Sequence, residues 1–282
     1  SLSFSPCSSS CVQGEIENIF FRRFQRRVAV VASGRTDTKV SARGQAIHFN
    51  LRANETSQVP ALERDFQQWL PDDICVWDIE PTGLFQKWVS VWDDNGNMEM
   101  VERNVSWHAI HDSLGKLYVY RIATAPMDPW LRTQRWQIPP WKNFDLHIFN
   151  ETLRKFEGTH DFHAFANAIE RLRNQREECG RGRVVNTVRK VFSVRLIDEG
   201  DSMYRIEIHL EGALYKMVRN MVGTAFAVAC GKMSPECFSR LLQPANNHNN
   251  HTSSPVVTRL TNPAKPAPPE GLTLERVYYE DF

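Results

Sequence analysis

The chain reads as an α+β protein built from two α/β subdomains, residues 1–125 and 126–282. Three observations carry that reading. Helical and strand periodicities alternate within each half instead of being segregated. Between the halves, the stretch 126–144 holds four prolines and three tryptophans, which interrupt both periodicities as a connection does. The chain has 282 residues, 41% hydrophobic and 24% charged, enough to bury a substantial core with average soluble usage.

In the first half, Val12, Ile16, Ile19 and Phe20 make an apolar stripe that predicts a helix over 12–24. Val28 to Ala32 is short, apolar and β-branched and stops at Ser33-Gly34, as a buried strand entering a turn does. Gln45 to Leu51 alternates like a half-buried strand. Pro60 opens a helix that runs through Leu70. Ile74 to Ile79 reads as a strand. Trp88–Trp92 and Met98–Val101 flank Asn95-Gly96, a hairpin signal. Leu117 to Ile122 alternates again.

The second half repeats the theme. A helix is expected from Asp145 to Phe156, strands from Val188 to Leu196 and from Tyr204 to Leu210, and a last strand near Leu272 to Tyr279. A helix from Lys216 to Cys230 ends at Gly231, a C-terminal cap. It is apolar over most of its circumference, with Lys216, Arg219, Asn220, Gly223 and Thr224 as a narrow polar stripe. The interval 246–269 is rich in Asn, His, Ser and Pro and reads as a mobile loop.

Net charge is +1, but it is unevenly distributed. Arg22, Arg23, Arg26 and Arg27 form one basic cluster. Arg171, Arg173, Arg176, Arg181, Arg183, Arg189 and Lys190 form another, and either face could meet phosphates. The six cysteines have neither disulfide nor zinc-finger spacing, which points to a reducing, intracellular compartment and to no metal. Gly231-Lys232 lacks the upstream glycine and following Ser/Thr of a phosphate loop, so no nucleotide cofactor is expected. No apolar run approaches bilayer length, so no membrane partner is expected either.

Chemistry concentrates between the first two strands. The loop carries Asp37 two residues from Arg35, and an ionised, positioned carboxylate can serve as nucleophile or base. A guanidinium on a mostly buried helix, Arg219, needs an anionic partner.

The stretch Gly34-Arg35-Thr36-Asp37, followed by Val40-Ser41-Ala42, Gly44-Gln45 and His48-Phe49, resembles the active-site loop of the TruA-type tRNA pseudouridine synthases. Further motifs extend the resemblance across roughly residues 12–280. Trp107-His108-Ala109 precedes Tyr118-Val119-Tyr120 at the family's spacing, although Ile110 stands where members usually carry Arg. Gly158 to Phe162 fits a Gly-x-x-Asp-Phe turn, Met217-Val218-Arg219-Asn220 a helix motif, and Gly271-Leu272-Thr273-Leu274 a C-terminal strand. The hairpin region 85–106 looks like an insertion, and the family's opening Tyr-Asp-Gly strand has no counterpart in residues 1–11.

The resemblance implies the pseudouridine synthase fold, with mixed and antiparallel sheets flanking a central active-site cleft. It implies isomerisation of uridine to pseudouridine in the anticodon stem and loop of tRNA, without metal, redox or nucleotide cofactor. It assigns Asp37, Arg219 and Tyr118 to catalysis, with Arg219 pairing with Asp37 and Tyr118 lying against the target base. Arg35, Thr36, Lys216 and Leu272 are assigned to substrate binding, Leu272 as the floor under uracil. Bacterial members are homodimers that hold tRNA across both subunits, so a homodimer is expected. A non-catalytic RNA-binding relative is the alternative; intact Asp37, Tyr118 and Arg219 argue against it.

Overall fold

The computed structural model describes residues 11–92, 98–169, 186–243 and 258–280. The chain forms two compact units, Ser1–Gly34 with Ala46–Asp112, and Arg35–Gln45 with Ser113–Phe282. This division differs from a single cut at 125/126, and backbone pairing is the reason: the loop at 35–45 and the strand at 115–123 are both hydrogen-bonded into the sheet of the second unit.

In the first unit, helix α1 (Val12–Phe24) is capped by the Cys11 Sγ, which accepts from the Gly14 N–H at 3.4 Å. Its stripe turns Ile16, Ile19 and Phe20 inward, while Val12 at the open end stays exposed. Strands β1 (Val31–Ala32) and β3 (Ile47–His48) pair antiparallel; β2 (Ser41–Ala42), between them in sequence, belongs to the second unit's sheet. Helix α2 (Val59–Trp69), with Pro60 in its first turn, buries Leu62 and Phe66. The Phe20 ring meets Phe66 edge-on at 5.5 Å and tilts against Phe49 at 4.6 Å, completing a core with Val28 and Val30.

The expected strand at 74–79 is absent. Asp78 takes the left-handed conformation (φ 55°), which breaks the extended run, and Val76 and Ile79 instead pack as loose half-buried residues on that core. The hairpin is longer than its sequence signal: β4 (Leu84–Trp92) and β5 (Met98–Ser106) pair in unbroken register from Leu84↔Ser106 to Trp92↔Met98. The Asn95-Gly96 turn itself lies outside the described residues, as do Cys7, Cys179 and the basic run 171–183.

The second unit is a mixed sheet in the order β2, β11, β6, β10, β9, β8, with β7 beside β6. Its further strands are β6 (Gly115–Ala123), β7 (Trp136–Gln137), β8 (Gly158–Asp161), β9 (Val188–Gly200), β10 (Met203–Leu210) and β11 (Leu272–Tyr278). Register decides which side chains share a face, because alternate residues point the same way. Tyr118 lies between Ile208 and Leu274, and Tyr120 between Ile206 and Leu272. That face is buried in one core with helices α3 (Leu146–Arg154) and α4 (Met217–Ala229). Phe149, Phe156, Phe162, Phe165 and Phe238 fill it, the last from helix α5 (Pro235–Leu241). No helix among the described residues is long and apolar enough to cross a membrane.

One expectation from composition is corrected. Part of the supposed mobile loop, 246–257, lies outside the described residues, but the remainder is a packed strap in which Asn262, Ala264 and Ala267 are buried. Its prolines fix an extended path across α4 rather than freeing the chain.

Candidate active site

The Asp37 loop is held by the edge of the second unit's sheet. β2 adds in parallel to β11, with Ser41 opposite Thr273 and Ala42 opposite Leu274, and the Arg43 N–H donates to the Leu274 carbonyl at 2.8 Å. A turn closed by the Val40 N–H on the Asp37 carbonyl (3.0 Å) carries Lys39 through the left-handed region (φ 66°). Gly44 follows because no other residue fits: a Cβ there would lie 2.5 Å from the Glu275 carbonyl oxygen.

Arg219 reaches this loop from the first turn of α4. Its Nη1 donates to Asp37 Oδ2 at 2.6 Å, with the two side chains 12% and 15% exposed. Arg219, not the sequence neighbour Arg35, takes this bond, as expected from the resemblance; Arg35 and Thr36 are exposed. Arg219 is itself fixed from behind. Its Nε donates to the Ala267 carbonyl at 2.8 Å, and the Ala267 N–H returns a bond to the Arg219 carbonyl at 2.9 Å.

The strap that supplies Ala267 lies against α4 because of Gly223, one turn beyond Arg219. A Cβ at Gly223 would sit 2.0 Å from the Lys265 carbonyl oxygen. Buried Asn262 pins the strap by donating to Thr224 Oγ1 (3.0 Å) and to the Ala164 carbonyl (3.2 Å). Arg259 donates to the carbonyls of Asn262 (2.6 Å) and Ala264 (2.7 Å). The polar stripe of α4 is therefore not a wet face: Asn220, Gly223 and Thr224 are buried against the strap and the 164–167 turn, where Asn220 donates to the Phe165 carbonyl at 2.6 Å.

Tyr118 and Leu272 form the apolar part of the site on adjacent strands. Tyr118 is 7% exposed, and burial, with Asp37 as the second cause, pushes its phenol up to about 12. The hydroxyl is thus protonated and neutral throughout the ordinary pH range. Leu272, 6% exposed, stands opposite Tyr120, whose hydroxyl donates to the Pro268 carbonyl at 2.8 Å. Gly271 admits that ring: a Cβ would lie 2.8 Å from Tyr120 Cζ. Lys216, left-handed at the start of α4 (φ 59°), rests its ammonium over the exposed Tyr215 ring at 5.2 Å.

Asp37, Arg219, Tyr118 and Leu272 all belong to the second unit, although Asp37 lies 182 positions from Arg219 in sequence. Asp37 Oδ2 is occupied by Arg219, while Oδ1 carries no hydrogen bond among the described residues. The residues that sequence reasoning missed are those behind Arg219: Ala267, Asn262 and Arg259. Gly223 was on the page as part of a polar stripe, four residues from Arg219, and a glycine inside a buried helix signals close backbone approach. An alanine offering only its backbone leaves no such signal.

The basic cluster of the first unit is partly spent on its own protein. Arg23 is bound by Asp65 through two bonds, at 2.5 and 2.6 Å, and Arg26 is bound by both oxygens of Glu55. That contact holds the Glu55 carboxyl down at about 2.

Sequence comparison covers part of this geometry. The profile of the family described as tRNA pseudouridine synthase matches residues 153–280, which carry α4, the strap and β11. Similar proteins span nearly all of the chain. The tRNA pseudouridine synthase A of Geobacillus kaustophilus is 32% identical over 96% of this chain and 86% of its own. That of Pseudothermotoga lettingae is 31% identical over 96% and 89%, and the tRNA pseudouridine synthase A 1 of Protochlamydia amoebophila is 29% identical over 98% and 90%. The class is therefore that of the pseudouridine synthases, with their α+β fold. Within it, the chain belongs to the tRNA pseudouridine synthase A family.

Proposed function

We propose that this protein isomerises uridine to pseudouridine in the anticodon stem and loop of tRNA, with Asp37 as the catalytic carboxylate. The observation that carries the reading is the one-pronged Asp37–Arg219 bond, which orients the carboxylate and leaves one oxygen open. In the reaction the N1–C1′ bond breaks, the uracil turns, C5 bonds to C1′, and the C5 proton is lost while N1 gains one. Attack on C1′ and removal of a ribose proton both require a carboxylate oxygen placed at the sugar, and the fixed Arg219 guanidinium aims that carboxylate. Tyr118 supplies a neutral ring against the base, and Leu272 an apolar floor under it. Arg35 and Thr36 are exposed and Lys216 half-buried, all suited to the RNA backbone, with Arg35 holding the unstacked conformation. Extraction of the base costs a few kcal/mol, which those contacts offset.

The protein works on this reading as an intracellular homodimer of two-subdomain chains, without cofactor or metal. The test is tritium release from 5-tritiated uridine in tRNA by the parent and by Asp37→Asn, alongside tRNA binding. Release is expected from the parent and not from the variant, with affinity retained, since phosphate and stacking contacts supply most of the binding. Turnover by the variant near the parental rate removes Asp37 from its role; no turnover by the parent removes the function. Pseudouridine mapped outside the anticodon arm removes the positional assignment.

A further inference from the structure

The connection between β6 and α3 does more than join them. Between Met127 and Trp141 it lines a groove of about 430 Å³ with Arg132, Trp136, Pro268 and Glu270. That volume is within the range of small-ligand sites. Trp141 on its wall is 78% exposed, and Trp130, in the same connection, is 85% exposed. Two indoles standing in water are an unfavourable way to end a connection unless something covers them. Trp136, by contrast, is anchored, its ring edge-on to Phe226 at 4.7 Å and to Tyr120 at 6.3 Å, so the groove floor is rigid.

Charge in the lining is mixed, with Arg132 and Glu270, and the positive excess lies next to it at Lys142 and Lys232. Arg132 is exposed, whereas Arg135 is neutralised by Glu199 at 2.7 Å. Lys142 follows Trp141 and lies against Lys232; the neighbouring ammonium is the first cause that pulls the Lys142 amine down from its usual range. The two lysines add positive charge beside Trp141. Two of its lining residues, Pro268 and Glu270, lie in sequence between Ala267, which holds Arg219, and Leu272.

We infer that this groove is an RNA subsite, distinct from the Asp37–Arg219 site, in which Trp141 and Trp130 stack unpaired or terminal bases and Arg132, Lys142 and Lys232 take the adjoining phosphates. Aromatic platforms beside a cationic track are the physical requirements for sequence-tolerant binding of nucleic acid. A second copy of the chain fits less well. A two-fold contact through this patch sets Arg132 and the lysine pair against their own copies, whereas a polyanion is attracted to all three. The inference rests on tRNA being the substrate.

The test is the affinity of the full chain for an unmodified tRNA transcript, read by fluorescence anisotropy. It is made at concentrations where ultracentrifugation gives parent and variants the same association state. Trp130→Ala/Trp141→Ala is expected to raise Kd about tenfold or more, with Trp141→Phe restoring most of the loss. Lys142→Ala/Lys232→Ala is expected to lower the slope of log Kd against log salt by up to about two. Unchanged Kd and slope overturn the inference. So does a tryptophan variant whose association state shifts at every concentration, which identifies the surface as a contact between copies. Since binding is read without turnover, a parent that binds but does not isomerise refutes the proposed function and leaves the groove standing.

Discussion

Two arginine–carboxylate pairs in this molecule look alike on paper and differ in what they leave open. Arg23 takes both oxygens of Asp65, which is buried, so that pair is complete and has nothing left to offer. Arg219 takes one oxygen of Asp37, turns its Nε away to a backbone carbonyl, and leaves the other oxygen without a bond among the described residues. A bidentate fork maximises geometric fixation of its own partner. A single prong, with the guanidinium braced elsewhere, orients a carboxylate without exhausting it. The two pairs differ here in the second oxygen rather than in distance or burial, and that difference is what the proposed role of Asp37 rests on.

The sharpest way to break this comparison is to make one change at both sites. Asp37→Asn is expected to lower isomerisation by roughly a thousandfold or more, about 4 kcal/mol in barrier, with little change in Tm. Asp65→Asn is expected to do the reverse, losing about 1–3 kcal/mol of stability because Arg23 is left half-paired, with activity per folded molecule retained. Chemical denaturation and single-turnover assays on both variants decide it; two similar profiles would erase the distinction.

A second test removes the brace and not the pair. Gly223→Ala places a methyl 2.0 Å from the Lys265 carbonyl, so strap or helix must shift. A loss of about 1–3 kcal/mol is expected, as for overpacking. Because Ala267 moves with the strap, activity at temperatures well below Tm is expected to fall as well. Activity untouched by that shift would show that Arg219 needs no support from behind.

The smallest effect concerns pH. The Glu55 carboxyl, held at about 2 by Arg26, contributes stability that is full above the ordinary carboxylate value and lost as pH falls through that value toward 2. Glu55→Gln is therefore expected to lower Tm at neutral pH and to converge with the parent near pH 2. The opposite trend, convergence at high pH, would contradict the assignment.

Much of this was legible in the sequence, for identifiable reasons. Elements with strong periodicity, such as α1, β6 and α4, stand where their apolar spacing requires. That Arg219 needs an anionic partner was legible from its buried helix, but that the partner is Asp37 came from the resemblance to the family. Three things were not legible. Ile74 to Ile79 has the composition of a strand, but Asp78 turns left-handed and no strand pairs with the run among the described residues, which composition cannot report. The strap at 258–269 has loop composition, yet its burial depends on backbone groups that any sequence carries. Arg23 and Arg26 read as cations on offer until the fold brought Asp65 and Glu55 to them across 42 and 29 positions.

The placement of the strap and β11 has a consequence for the order in which the protein becomes competent during synthesis. Arg219 is braced by Ala267, and the Asp37 loop is docked on Thr273 and Leu274. Both reacting partners thus emerge from the ribosome well before the segment that sets their mutual geometry. Premature termination anywhere before about residue 274 therefore yields a chain in which Asp37 and Arg219 are both present but lack the segment that positions them.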